Sequence, residues 1–425
     1  MIRTRVHSLA LAALGAGFFW TPTLPAESPF IRGEANGDGR LDLTDAVAIL
    51  FYLFGDTGGT GCPRAGDVDD SGDLDITDPL ALLGYLFTEG AAPRAPFPEC
   101  GTDPTDDPLS CTEHVPCLQI DLDPVITEWT VPWAGSRPRD PYAGGDGRIW
   151  FVGQTGNYLA FLEPEEGEFK RFDLPSGAAP HNVIVGDLVW YAGNGDAHIG
   201  SLEPESGKFM IYSMPDPAAS DPHTMAFDRS GDIWFTVQQG NFVGRLAVGS
   251  GEVKLIPAPT GNSRPYGLVI DPQDRPWFVE FGTYKVAMVV RDDLSIREFP
   301  LKRTAARPRR LEAASDGSIW YVDYAQGYLG RLDPTSGEIE EWRAPGGAGS
   351  APYGMAIDYR DRLWFVETGS NPNRMVGFNP ATKAFFGITA IPSGGGTVRH
   401  MSFHAPSRSI WFGTDAGTIG RAVVE

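Results

Sequence analysis

The sequence predicts a mainly β protein: a seven-bladed β-propeller of four-stranded blades, preceded by a small α-helical module. Two observations carry this reading. Trp150, Trp190, Trp234, Trp277, Trp320, Trp364 and Trp411 recur at intervals of 40, 44, 43, 43, 44 and 47 residues, the period of a propeller blade. Ahead of them, an Asp-rich spacing followed by an apolar run occurs twice, 33 residues apart. The 52 Gly and 36 Pro also favour short strands and turns over long helices.

Residues 1–26 read as a secretory signal peptide rather than as fold. MIRTRVH is a basic start, SLALAALGAGFFW is an apolar run too short to span a bilayer, and TPTLPA ends at a small residue, which places cleavage near Ala26. An uncleaved anchor is the alternative. No later segment is apolar enough to cross a membrane, so the mature chain is expected to be secreted or held in the cell envelope. Cys62, Cys100, Cys111 and Cys117 suit that compartment. Their even number suggests two disulfides, with three pairings open.

Charge is concentrated near the start. Glu27 to Pro124 holds 20 acidic and 4 basic side chains, so this stretch carries −16 of the formal −21. In EANGDGRLDLTD, side-chain oxygens fall at Glu34, Asn36, Asp38, Asp42 and Asp45, with Gly39 in sixth place. DVDDSGDLDITD repeats them at Asp67, Asp69, Ser71, Asp75 and Asp78, with Gly72 in sixth place. Calcium takes about six to eight hard oxygen ligands from a sharply turning loop, and this spacing supplies them. Thr44 and Thr77 are expected to cap the helices that follow, AVAILFYLF and PLALLGYLF.

A duplicated EF-hand-like loop and helix, with Asp as the last ligand and no entering helix, resembles a dockerin module over residues 31–90. The resemblance implies calcium in both loops. It also implies docking onto a cohesin-like partner through Leu43, Thr44, Ile76 and Thr77. A calcium-stapled spacer without a partner is the alternative. Residues 91–124 are rich in Pro, Asp and Cys and read as a partly disulfide-tied linker.

Residues 125–425 read as the propeller, expected to be monomeric. Each repeat opens with a Pro and an apolar run, as in DPHTMAF, RPYGLVI and APYGMAI, which gives the first strand. An Asp/Gly turn, W-F-x-x, a phrase such as VGRL, and E-x-x-x-x-P supply the turn and three more strands. The region begins with VITEWTVP, which suits a fourth strand, and ends with TIGRAVVE, which suits a third. The first strand is therefore expected to complete the last blade and close the ring.

The frame P-[HY]-G, W-F-x-E and I-G-R-L resembles the virginiamycin B lyases, or streptogramin lyases, over nearly all of 125–425. That resemblance implies a propeller that opens a cyclic depsipeptide at its ester by elimination, with magnesium. The family's last blade carries Glu-Pro-His and a Glu three residues after the Trp. Here Val398, Arg399, His400 and Thr414 stand there, so His400 carries over as candidate base and neither metal-binding Glu does. The family's substrate-binding His of the preceding blade stands as Tyr353.

Two positions vary from blade to blade and mark the expected site. Eleven residues before each Trp stand Arg139, His223, Tyr266, Arg309, Tyr353 and His400, with His181 in the shorter second repeat. All seven are expected at one mouth of the central channel, around a substrate. Three residues after the Trp, Glu280, Asp323 and Glu367 follow on adjacent blades and are the candidate magnesium ligands. They could instead pair with Arg139, Arg309 and Arg399. The expected function is an exported, metal-assisted lyase that cleaves a C–O bond by elimination. The alternative is a non-catalytic propeller that binds carbohydrate, peptide or protein at the mouth. The acidic balance, without a basic patch, argues against nucleic acid.

Overall fold

In this computed structural model the described residues are 28–37, 41–55, 62–88, 90–98, 100–105, 107–111, 114, 123–175 and 177–424. The candidate signal peptide and Asp38 lie outside them. The chain divides into two compact units, Met1–Ile120 and Asp121–Glu425. Among the described residues, no helix is long and apolar enough to cross a membrane.

The second unit is a seven-bladed propeller, with seven four-stranded sheets among the described residues. Blades one to six pair their strands in chain order. Blade seven is ordered Val125–Thr130, Thr418–Val423, Ser409–Thr414, Val398–His404, so the first strand of the unit closes the ring. Trp129 of that closing strand stacks on Trp411, with ring centres 5.7 Å apart.

Burial explains the strand sequences. The second strand of blade three, Ile233–Val237, lies between neighbouring blades and is buried at every position. Such a strand reads as an unbroken apolar run. The outer strand Glu252–Pro257 faces solvent and mixes exposed with covered positions. The Gly of the VGRL phrase has a steric cause. A Cβ on Gly244 would sit 2.1 Å from the Phe235 ring, so only Gly lets that ring lie across the third strand.

The Asp before each turn also has a cause. Trp234 Nε1 donates to Asp228 Oδ2 at 3.0 Å, Trp277 to Asp271 at 2.8 Å and Trp364 to Asp358 at 2.9 Å. The same carboxylates accept backbone N–H groups of their turns, such as Ser230 and Arg275. One side chain thus locks hairpin and core together. In blade five the Ser318 hydroxyl takes this place beneath Trp320, at 3.1 Å.

The first unit holds α1 (Leu43–Phe54), α2 (Pro63–Gly66) and α3 (Thr77–Phe87). Ala46 and Ile49 of α1 and Leu82 of α3 are buried together with Ala35 and Val68. Cys62 is bonded to Cys111, and Cys100 is also in a disulfide. The capping expectation needs correction: Asp42, not Thr44, caps α1, and Asp75 accepts the Thr77 N–H at 2.7 Å. The threonine hydroxyls donate to those same carboxylates instead.

Candidate active site at the propeller mouth

In six blades the inner strand breaks register near its start, whereas that of blade two, Val183–Val185, pairs regularly. Pro222 pairs with Val237 and Pro265 with Glu280, and the ladder resumes only at Met225 and Leu268. The irregularity frees the residue after the Pro from the ladder and re-aims its side chain. Arg139, His181, His223, Tyr266, Arg309, Tyr353 and Arg399, one from each blade, line a single cavity of about 260 Å3.

These side chains touch around the ring. Arg139 donates to His181 Nε2 at 2.7 Å and to Gln154 Oε1 at 2.5 Å. The His181 and His223 rings lie 3.5 Å apart, and His223 lies 4.0 Å from Tyr266. The hydroxyls of Tyr266 and Tyr353 hydrogen-bond to each other. The Arg309 guanidinium lies over Tyr324, Phe281 and Tyr353 at 3.9, 4.3 and 4.5 Å. Burial, with the Arg139 and Arg310 charges adding to it, holds both His181 and His223 well below the ordinary imidazole range. Both are therefore neutral at pH 7.

One residue further along the inner strands runs a second polar layer. Arg310 is buried and donates to Thr224 Oγ1 at 3.0 Å, to Asp140 Oδ2 at 3.4 Å and to the Arg399 carbonyl at 2.9 Å. Asn182 donates to Asp140 Oδ2 at 3.1 Å. This layer ties blades one, two, three, five and seven together beneath the mouth. Asp140, Asn182, Thr224 and Arg310 were not singled out in the sequence. The signal was there, since they directly follow the varying ring residues.

The model of the virginiamycin B lyase family matches residues 222–375. A virginiamycin B lyase of Nocardia farcinica is 34% identical over 98 residues, 23% of this chain and 34% of that relative. The chain thus spans about a third of the curated relative it matches. A solved streptogramin B lyase covers 71% of this chain and 97% of its own, with TM-score 0.64 and 24% identity. A catalytically inactive virginiamycin B lyase of Staphylococcus aureus, solved with quinupristin, covers 71% and 100%, with TM-score 0.65 and 22% identity.

The propeller is virginiamycin B lyase-like.

Within the lyase-like propeller, three expectations need correction. His400 does not stand in the mouth ring. Val398 pairs with Thr414 as Pro222 pairs with Val237, and Met401 pairs with Phe412 as Met225 pairs with Phe235. Arg399 is therefore the ring residue of blade seven, and His400 is the counterpart of Thr224. The hairpin of this blade holds an extra residue around the turn Ala405–Ser407, which offsets a count made backward from Trp411. His400 Nδ1 is buried without a partner, and burial with the Arg310 charge lowers its pKa to about 4.

The second correction concerns Glu280, Asp323 and Glu367. Each is buried and engaged within its own part of the wall. Glu280 accepts from Thr283 Oγ1 at 2.9 Å, and burial and Glu298 push its pKa up to about 7. Asp323 accepts the N–H groups of Arg307, Ala325 and Gln326. Glu367 accepts the Gly346 N–H at 2.6 Å and pairs with Arg374. None lines the mouth cavity, and among the described residues no group of close metal-ligand atoms includes them. These residues do not fit a shared magnesium ion. Strand alternation is the reason. The mouth is lined by the next residue along, as with Gln154, Asn194, Gln238 and Phe281.

The third correction concerns the arginines. Arg139 bonds Gln154 and His181, Arg309 lies on aromatic rings, and Arg399 pairs with Asp415. None pairs with Glu280, Asp323 or Glu367.

The loops of the first unit fare differently from each other. Carboxylate oxygens of Asp67, Asp69 and Asp78 lie within 4.8 Å of one another. Asp78 accepts the Val68 and Asp75 N–H groups at 2.7 and 2.9 Å, and Asp67 accepts those of Ser71 and Gly72 at 3.0 Å. These bonds fold the loop around the three acids, a donor set that suits calcium. Ser71 Oγ donates to the Asp73 carbonyl, and Asp75 holds Thr77. In the first loop Asp45 accepts the Ala35 and Asp42 N–H groups at 2.9 Å, as Asp78 does in the second. Asn36 donates to Thr44 Oγ1, and Glu34 faces His114 Nε2 at 3.0 Å.

Proposed function

We propose that the mouth of the propeller is the site of a carbon–oxygen lyase, with His223 as base and the ring arginines as the cationic partner. The observation that carries this is the ring itself: seven different side chains, one per blade, converge on one cavity. A neutral imidazole stands among them beside fixed positive charge. Elimination next to a carbonyl requires that pairing, a base for the α proton and a cation for the developing enolate. His223 Nδ1 is taken up by Thr224 Oγ1 at 3.0 Å, and the residue lines the cavity. In His181, by contrast, Nε2 is occupied by Arg139.

The solved relative with quinupristin suggests a cyclic depsipeptide, but the ring differs where the resemblance places the base. Arg399 stands there, so we do not assign streptogramin cleavage. The test is product analysis in 18O-labelled water with His223→Ala as control. Elimination gives products without the label, and His223→Ala abolishes them. Label in the product, or turnover unchanged in the variant, sinks the reading and favours hydrolysis or simple binding.

We further propose that the second acidic loop holds calcium through Asp67, Asp69 and Asp78, that the chain is exported, and that the first unit docks onto a cohesin-like partner. Exposed Leu43, Phe51, Ile76 and Leu80 support the docking, since apolar side chains on a small surface mark contact sites. Calorimetry with calcium and with an immobilised cohesin tests both. An absence of heat with calcium overturns the metal, and a calcium-loaded chain that passes the resin unretained overturns the docking.

A further inference from the structure

The mouth does not end at the ring. Phe281 also forms part of the wall of a second cavity of about 400 Å3, lined by Asn262, Arg264, Gly282 and Arg307. The two spaces thus meet at one aromatic side chain, and each carries arginines. Elsewhere on the propeller many arginines are neutralised: Arg245 by Asp232, Arg275 by Asp271, Arg362 by Asp358. Here they are not. Among the described residues, Arg139, Arg264, Arg307 and Arg309 have no carboxylate within ion-pair distance. Arg139 holds Gln154 and His181, Arg307 holds the Thr304 and Ala306 carbonyls, and Arg309 lies over rings.

These guanidinium groups stay unpaired although other arginines of the same propeller find carboxylates. Arg264 is held with φ of 53°, a left-handed backbone that non-glycine residues adopt at a cost. Its loop is fixed by Asn241, whose side chain accepts the Ser263 N–H at 2.7 Å. The arginines are therefore presented on a built surface.

We propose that mouth and groove together bind an acidic oligosaccharide, a chain of uronate residues, with one carboxylate at the mouth and further ones along Arg264 and Arg307. This rests on reading the mouth as the substrate site. Guanidinium groups recognise carboxylates through paired N–H donors. The amides of Gln154, Asn194 and Gln238 suit sugar hydroxyls. A uronate also meets the chemical demand of elimination. Its α C–H bond breaks toward His223, the electron pair forms a C=C bond, the β C–O bond breaks, and the leaving oxygen takes a proton. Nothing else is consumed.

The experiment uses the full-length chain with galacturonate, mannuronate and glucuronate oligomers, a hexamer and a dimer of each. A methyl-esterified hexamer and a polyglutamate of similar length are the comparison ligands. Calorimetry reads binding, and ultraviolet absorbance of the conjugated product reads elimination. One uronate hexamer is expected to bind at least about tenfold more tightly than its ester, and Arg264→Ala with Arg307→Ala to weaken it about tenfold. Unchanged circular dichroism of the double variant shows that the fold is intact. Equal affinity for the ester, polyglutamate binding as tightly, or no uronate bound at millimolar concentration overturns the proposal. Tight uronate binding without any product leaves the proposal standing and overturns the lyase reading instead.

Discussion

Arg139 of blade one donates its hydrogen bond to Nε2 of His181 in blade two, at 2.7 Å. That contact fixes the tautomer of a buried imidazole, because an arginine can only donate. The proton of His181 must then sit on Nδ1, which faces Asp140 Oδ2 at 4.0 Å. The mouth is therefore an arrangement of fixed protons. Replacing Arg139 by Leu removes a positive charge from beside His181, so its pKa should rise toward 6.5. Proton NMR titration of the histidine ring signals checks this. A His181 signal that still resists protonation in Arg139→Leu would show that burial alone holds it.

The same histidines set an acid limit on stability. Those of the unfolded chain protonate near pH 6.5, while folded His181 and His223 stay neutral well below that and His400 does so to about 4. The unfolded state thus binds more protons as pH falls from about 6.5 toward 4, and stability is lost over that window. Above 6.5 both states are neutral and these residues add no pH dependence. Urea midpoints at pH 7.5 and 5 should differ in that sense, and the difference should shrink in His223→Phe.

The Asp–Trp lock is structural, and its removal should show as lost stability. Asp271→Ala strands the Trp277 N–H and frees the N–H groups of Gln273 and Arg275. We expect a cost of about 2 kcal/mol. Ser318→Ala, which removes the single hydroxyl below Trp320, should cost about 1 kcal/mol. Urea denaturation of the two variants gives the order, and equal midpoints would contradict the assignment.

Closure of the ring is tested by removing residues 118–132. Without Val125–Thr130 the strand Thr418–Val423 becomes a bare edge, and Trp411 loses its stacking partner Trp129. The melting temperature should fall by several degrees, and the shortened chain should tend to self-associate. Trp129→Ala alone should cost about 2 kcal/mol.

In the first unit, Asp78→Asn keeps most of the loop's hydrogen bonds but removes a charge from the cluster with Asp67 and Asp69. Calcium affinity should drop at least about tenfold. A chelator should reduce helical circular dichroism of the full chain, and an unchanged spectrum would count against a structural ion.

The fold was legible because each blade must bury the same surface. Trp234, Trp277 and Trp364 occupy one position and are all fully buried, so the spacing of one residue type reports the architecture. The site was only half legible. Five of the seven ring residues fall where counting back eleven from the Trp puts them, and His181 stands nine before Trp190 because its hairpin is shorter. Blade seven breaks the count, since its turn is one residue longer. Aligning Met401 with Met225 and Met355 reveals Arg399, because those methionines resume the ladder after the bulge. Glu280, Asp323 and Glu367 misled for a different reason. A one-residue offset on a strand exchanges the faces, and sequence spacing does not say which face opens on the channel.

Because the strand that opens the propeller is also the one that completes its last blade, the ring cannot shut while the chain is still being made. A nascent propeller emerging from the ribosome is an open arc with two unsatisfied ends until residues 418–423 arrive. Its final step is a single long-range pairing, with a large loop already closed behind it and slow formation expected. Folding helpers that shield strand edges would matter most in that interval. A truncation of only the last few residues should therefore be as damaging as a loss near the start.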